Sequence, residues 1–206
     1  YSLQTKFTLP HSQIIKLAYG KGFRAPSLKE LYLDFNDINH EVFGDSTLMS
    51  ETSHSFTASY TNYYRAGKVE MSTTIDGFYN NIENKIELIV TGPIQAQYGN
   101  IGKYQTVGGD INQKIVYNDL GLNASFNYTG VYNGVEGSKK EFFFSPQVVL
   151  NPTYMWKKQN LSANLFFNYF GEVSRVFSNI DSANLNVQEQ DAYSMLDFTF
   201  NKSFNN

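Results

Sequence analysis

Apolar and polar residues alternate one by one along most of this chain. A period of two fits only strands whose two faces meet different surroundings. Leu3, Phe7 and Leu9 share one parity, with Gln4, Lys6 and Thr8 between them. Ile15, Leu17 and Tyr19 repeat the pattern, and Phe56, Ala58 and Tyr60 stand against Ser55, Thr57 and Ser59. It returns at Val69, Met71 and Ile75, at Ile111 and Ile115, and at Leu122, Ala124, Phe126 and Tyr128. Further on come Val148, Leu150 and Tyr154, then Leu161, Ala163 and Leu165, and finally Leu196, Phe198 and Phe200. The spacing predicts about nine strands of roughly 9–14 residues, against the 5–6 usual in a globular sheet. A tilted strand crossing a bilayer needs about 9–11 residues.

The joints carry a second pattern. PHSQ, RAGK, NDLG and KKQN are short, and they alternate with long segments over 22–51, 80–103, 133–143 and 174–191. In an up-and-down antiparallel sheet, alternate joints lie at opposite ends. All tight turns then fall at one end and all long loops at the other, which is the layout of outer-membrane barrels. The polar face is Ser, Thr, Asn and Gln with sparse charge, as suits a wet, enclosed lumen. A soluble β-sandwich acting as a binding or adhesion module is the alternative, and strand length and loop asymmetry count against it. A barrel without a plug, such as a porin or autotransporter translocator, is a third reading.

Nine is odd, whereas single-chain bacterial barrels use even numbers of strands. An open sheet also leaves two edges that lipid does not tolerate. The expectation is therefore an all-β, antiparallel, up-and-down transmembrane β-barrel present as an incomplete piece, with residues 1–206 forming one partial barrel domain. Tyr63, Tyr64, Tyr79, Tyr117, Tyr154 and Trp156 fall at strand ends and are candidates for interfacial girdles.

No cysteine is present, which excludes disulfides, thiolate metal sites and cysteine nucleophiles. A net charge of −3 without a basic stripe argues against nucleic acid. The three histidines, His11, His40 and His54, show no metal-ligand or triad spacing, and phosphate-binding glycine motifs are absent, so no enzyme is expected.

At residues 19–32 the text YGKGFRAPSLKELY closely resembles a box in the β-barrels of TonB-dependent outer-membrane receptors. In GDSTLMSETSHSF, Gly44, Leu48, Glu51 and Ser53 match a second box, while Asp45, Ser46 and Ser50 replace its usual Asn and prolines. GFYNNIENKIELI and YGNIGKYQTVGGDI resemble two further boxes, with Asp110 where Glu is commoner. The resemblance implies the later part of a barrel of about 22 strands, stopping before the last hairpin. It implies that the plug domain, which contacts the TonB complex, and the closing strand lie outside these residues. It also implies an outer-membrane, lipid-embedded receptor that imports a scarce bulky nutrient: an iron-siderophore chelate, haem or a corrinoid. It leaves open a surface lipoprotein as a further partner, and it calls for no resident cofactor.

Ligand-facing candidates lie in the long loops. Haem receptors of the family carry an iron-ligating histidine between two of these boxes, and His40 occupies a comparable stretch; a solvated loop histidine is the alternative. Arg24 would meet an anionic chelate, or else pair with a nearby carboxylate. Asp34, Asp37, Glu41 and Asp45 form an acidic loop that reads as solvated or as a Ca²⁺ site lacking EF-hand spacing. Tyr32, Phe43 and Tyr98, with Phe35 and Tyr104, would stack on a macrocycle or pack within the loops. SLKELY is expected to form a short helix with Ser27 as its N-cap.

Overall fold

A computed structural model describes residues 1–134, 141–178 and 185–204. In chain order it contains β1 (Ser2–Leu9), β2 (Gln13–Arg24), α1 (Leu28–Tyr32), β3 (Asp34–Asn36), β4 (Glu41–Phe43) and β5 (Glu51–Ala66). Then come β6 (Val69–Val90), β7 (Gln95–Tyr117), β8 (Leu120–Gly134), β9 (Phe143–Trp156) and β10 (Leu161–Phe170). The last three are β11 (Val173–Ser178), β12 (Leu185–Gln190) and β13 (Tyr193–Lys202). Nine long strands form one antiparallel sheet in the order β1-β2-β5-β6-β7-β8-β9-β10-β13. These are the nine strands that alternation marks. The order is linear, so β1 and β13 are its two edges.

Register explains why the alternation matters. One cross-strand row runs Phe7, Ile15, Tyr60, Ile75, Ile111, Phe126, Val148 and Tyr169. The row one residue away on the opposite face runs Lys6, Lys16, Ser59, Asp76, Asp110, Asn127 and Gln147. A single-residue slip in any strand would put apolar groups into the polar row. The apolar row is not covered: Phe7 is 50% exposed, Ile75 46%, Ile111 47% and Phe126 42%. A sandwich would bury these side chains against a second sheet. An apolar band of this extent is instead the surface a bilayer solvates. The polar face binds itself laterally, through Thr61–Thr74 at 3.2 Å, Asn80–Thr106 at 2.9 Å and Ser125–Asn112 at 2.6 Å.

The tight turns fall at one end, over residues 10–12, 67–68, 118–119 and 157–160. Each places a residue in the left-handed region: His11 and Ser12, Gly67, Asn118 and Asn160. Asn tolerates that conformation through local side-chain hydrogen bonds. Tyr64, Tyr117, Tyr154 and Trp156 gather near this end on the apolar side. Tyr63 falls instead in the polar row with Ser72 and Lys114, and Tyr79 sits in the row of Tyr19 and Phe56.

Three expectations about the opposite end are corrected. Residues 80–103 are not a long loop: β6 and β7 continue outward as a paired hairpin closing over residues 91–94. Ile82, Ile86, Leu88 and Val90 keep the period of two there, so the ladder persists past the rim. β2 likewise does not stop at the Gly-Lys-Gly; it pairs with β5 as far as Arg24–Glu51. Part of 174–191 is also paired, as the β11–β12 hairpin. Within the expected loop over 133–143, residues 135–140 lie outside the described residues, as do 179–184.

Candidate functional site

The loop over residues 25–50 begins where a proline ends β2. α1 then starts with a reciprocal cap: Ser27 Oγ accepts from the Glu30 N–H, and the Glu30 carboxylate accepts from the Ser27 N–H at 2.7 Å. This capping box is readable in S-L-K-E. Gly44 then packs against the end of α1, donating to the Leu33 carbonyl at 2.6 Å. A Cβ there would lie 2.6–2.7 Å from the backbone of Leu31, Tyr32 and Leu33, so only glycine fits.

Arg24 is the hub of this loop. Its Nε and one terminal nitrogen donate to the two Glu51 oxygens at 2.8 and 2.7 Å, and its other terminal nitrogen donates to Glu30 at 2.9 and 3.0 Å. Such forked pairing is the geometry a guanidinium holds best. Glu51 Oε1 also accepts from the Ile86 N–H at 2.7 Å, which ties the hub to the outward part of β6. The Arg24 bonds foremost, then the Ile86 N–H, hold the Glu51 carboxyl below the usual carboxylate range. Glu30 is lowered too, first by the Ser27 N–H and then by Arg24. Two carboxylates raise the Arg24 guanidinium above its ordinary value. The guanidinium is thus engaged by protein partners on both sides.

A second strut lies nearby. β4 pairs parallel with the start of β7, setting Phe43 beside Gln97, and β3 pairs with β4. Gln95 bonds Glu41 side chain to side chain, and the Glu41 N–H donates to the Ile94 carbonyl at 2.8 Å. In the outward run of β6 and β7, Ile86 and Ile101 are the two buried apolar residues of the described chain, at 7% and 8% exposure, one on each face of the ladder.

The remaining candidates are dispersed. His40 lies in the tip between β3 and β4, its side chain 72% exposed, with Nδ1 3.7 Å from Asp37 Oδ1. Tyr32 is exposed at the end of α1, while Phe43 and Tyr98 are half-buried. Phe43 shares a face with Gln97, so alternation puts Tyr98 on the other side. Tyr104 lies under the Lys85 ammonium, 3.9 Å from its ring centroid. The acidic loop uses its oxygens locally. Asp37 accepts from the Asn39 and His40 N–H groups, and Asp45 from Thr47. Those bonds lower both carboxyls. No group of three or more potential metal ligands occurs among the described residues. Two features escaped sequence reasoning. The Glu51 link to Arg24 spans 27 positions and the Asn100 link to Met49 spans 51, so neither leaves a local signal.

An antiparallel wall with an uncovered apolar face, a self-bonded polar face, tight turns at one end and a folded loop assembly at the other defines a piece of a membrane-spanning β-barrel. A family model described as "TonB dependent receptor-like, beta-barrel" matches residues 6–206, and the chain belongs to this family. The family consists of outer-membrane transport receptors rather than enzymes. "Hemoglobin and hemoglobin-haptoglobin-binding protein C" of Haemophilus influenzae is 28% identical over 90 residues, which are 44% of this chain and 8% of that protein. The siderophore receptor PirA of Acinetobacter baumannii superposes with a TM-score of 0.68 at 16% identity, over 99% of this chain and 34% of that one. The FrpB iron transporter of Neisseria meningitidis gives 0.65 at 13%, over 98% and 31%. At such identities the two solved structures show the fold alone. The 90 matched residues are less than a tenth of the curated relative's length, and this chain spans about a third of the solved receptors'. No helix of the described residues is long and apolar enough to cross a membrane, which says nothing of crossing by strands.

Proposed function

We propose that these residues form part of the wall and outer loops of a receptor that captures a scarce, bulky nutrient and imports it with energy delivered by TonB to a plug outside residues 1–206. The nutrient class is an iron-siderophore chelate, haem or a corrinoid. The observation that carries this reading is the loop assembly. Residues 25–50 are pinned to the β6–β7 hairpin through Arg24, Glu51 and Asn100, giving a preorganised surface at the end opposite the tight turns. Preorganisation is what high affinity for a dilute ligand requires. Family membership supplies the link to TonB. The test uses the full-length receptor in its own host: growth on each nutrient as sole iron or corrinoid source, with and without TonB. Growth that needs both the receptor and TonB supports the reading, whereas TonB-independent growth contradicts it.

Haem is a second reading for the cargo, favoured by the haemoglobin-binding names among the relatives and by the exposed imidazole of His40. Neutral imidazole is a suitable iron ligand. Under this reading His40 is the axial ligand, and Tyr32, Phe43 and Tyr98 line the approach rather than forming one stack. Titrating full-length receptor with haemin separates the cases: an altered Soret band in His40→Ala supports ligation, and an unchanged band removes His40.

A further inference from the structure

On the apolar side of the sheet, the first fully polar row toward the loop end runs Lys21, His54, Asn81, Gln105 and Tyr132 across β2, β5, β6, β7 and β8. β2 begins at Gln13 beside a tight turn. A tilted strand crosses a bilayer in about 9–11 residues, so Lys21 reaches the interface on the loop side. No carboxylate stands in this row, and among the described residues the Lys21 ammonium makes no hydrogen bond or ion pair. The Tyr19 hydroxyl bonds His54 Nδ1 at 2.8 Å; with the hydroxyl as donor, Nε2 carries the ring proton and donates outward. Asn81 Oδ1 accepts from the Gln105 amide at 2.7 Å, and Asn81 Nδ2 has no partner among the described residues. Three donors thus face one interface over two strand spacings, roughly 10 Å. Directly toward the turns the same face is hollowed, where Ala58, Gly77 and Gly109 share a row. The hollow holds about 530 Å³, and Leu3, Leu17, Phe56 and Tyr79 stand around Ala58 and Gly77 in its lining.

We propose that the row and the hollow together seat a phosphorylated glycolipid of the outer leaflet, with its phosphate at Lys21 and His54, a sugar or ester oxygen at Asn81 and one acyl chain in the hollow. Three features select this occupant. The hollow opens on the side that the bilayer solvates, so what fills it is an acyl chain, whose burial is favourable for every methylene. The donors above it have no acceptor of their own, and basic groups at this depth recognise phosphorylated headgroups. Their span is wider than a single phosphate, and a sugar carrying the phosphate reaches the third donor. Both strand neighbours of β2 lie within the sheet, so the row around Lys21 is complete: Gly20 pairs with Ser2 on one side, and His54 stands opposite Lys21 on the other. The seat is on the lipid side of the wall and holds whatever nutrient the receptor carries.

The experiment titrates detergent-solubilised full-length receptor, by native mass spectrometry, with diphosphorylated lipid A, with its dephosphorylated form and with phosphatidylglycerol. Heat-modifiable electrophoretic mobility checks that each barrel is folded. The proposal predicts that wild type binds diphosphorylated lipid A about tenfold more tightly than either other lipid, the scale of a hydrogen bond to a charged group. Lys21→Glu should bring lipid A down to the level of its dephosphorylated form. Gly77→Leu fills the hollow, where the nearest atom to an added Cβ is the Gly108 carbonyl oxygen at 4.0 Å, and should weaken lipid A binding without touching the donors. Equal binding of the phosphorylated and dephosphorylated forms, or wild-type binding in Lys21→Glu, overturns the phosphate seat. Wild-type binding in Gly77→Leu overturns the acyl seat, and phosphatidylglycerol bound as tightly as lipid A overturns the choice of a glycolipid. Should Lys21→Glu block insertion, Lys21→Gln gives the same readout in milder form, with the same outcomes.

Discussion

The side-chain amide of Asn100 closes on the backbone of Met49 from both sides: its Oδ1 accepts the Met49 N–H at 2.7 Å and its Nδ2 donates to the Met49 carbonyl at 3.0 Å. The same Nδ2 donates to the Asn84 carbonyl at 2.7 Å, where the chain enters the left-handed region. One residue of β7 thus imitates a strand neighbour for the loop and steadies a break in β6. Each such bond contributes about 0.5–1.5 kcal/mol net. Asn100→Ala should therefore raise amide exchange at Met49 by roughly ten- to a hundredfold while the membrane ladder keeps its protection. Residue-resolved hydrogen exchange checks this.

The Arg24 hub makes the loop acid-sensitive. Glu51 and Glu30 have folded values below their ordinary ones. Their contribution is thus complete above the ordinary carboxylate value of about 4.3 and is lost as pH falls through the depressed folded values. Protection of the Ile86 amide, corrected for intrinsic exchange, should hold down to about that pH and then decline. Glu51→Gln should lower the protection already at neutral pH, by about 1–2 kcal/mol given the half-exposed guanidinium. Arg24→Lys should do nearly the same, because an ammonium cannot fork between two carboxylates.

Gly44→Ala places a methyl against three backbone atoms at the end of α1, in Leu31, Tyr32 and Leu33. Forced overpacking of this kind costs about 1–3 kcal/mol. The expected result is a weakened loop, read as faster proteolysis at Lys29, with unchanged heat-modifiable mobility of the barrel.

Much of this architecture is legible in residues such as Phe7, Ile15, Ile75 and Ile111, because a strand with lipid on one side and water on the other must alternate. The helix at Leu28–Tyr32 is legible for an equally local reason, the reciprocal cap of Ser27 and Glu30. Legibility fails where partners are remote. The outward run of β6 and β7 reads as loop because Asn80, Asn81, Asn84 and several glycines dilute the pattern, although pairing between the two strands sustains it. The parallel contact of β4 with β7, the Arg24–Glu51 fork and the charged row from Lys6 to Asp110 need registers that no local segment encodes. Arg24, read from the sequence as meeting an anionic chelate or else pairing with a nearby carboxylate, is found joined to Glu51 and Glu30.

Charge placement separates the two faces energetically. Ile111→Arg puts a guanidinium in the middle of the apolar row, where lipid exacts about 2–4 kcal/mol near the bilayer midplane. Its neighbour Asn112 faces the other way, so Asn112→Lys should cost no more than the bond it accepts from Ser125, about 0.5–1.5 kcal/mol. Urea unfolding of full-length receptor from lipid vesicles compares the two.

The most direct measurement of sidedness places a nitroxide label at Ile111 and, separately, at Asn112 of the full-length receptor in bilayers, and compares collisions with dissolved oxygen against those with a water-soluble nickel chelate. The account predicts oxygen-dominated relaxation at Ile111 and chelate-dominated or shielded relaxation at Asn112, with the same alternation at Ile75 and Asp76. Equal access at both positions of each pair, or the reverse order, would contradict a wall with lipid on one face and a lumen on the other.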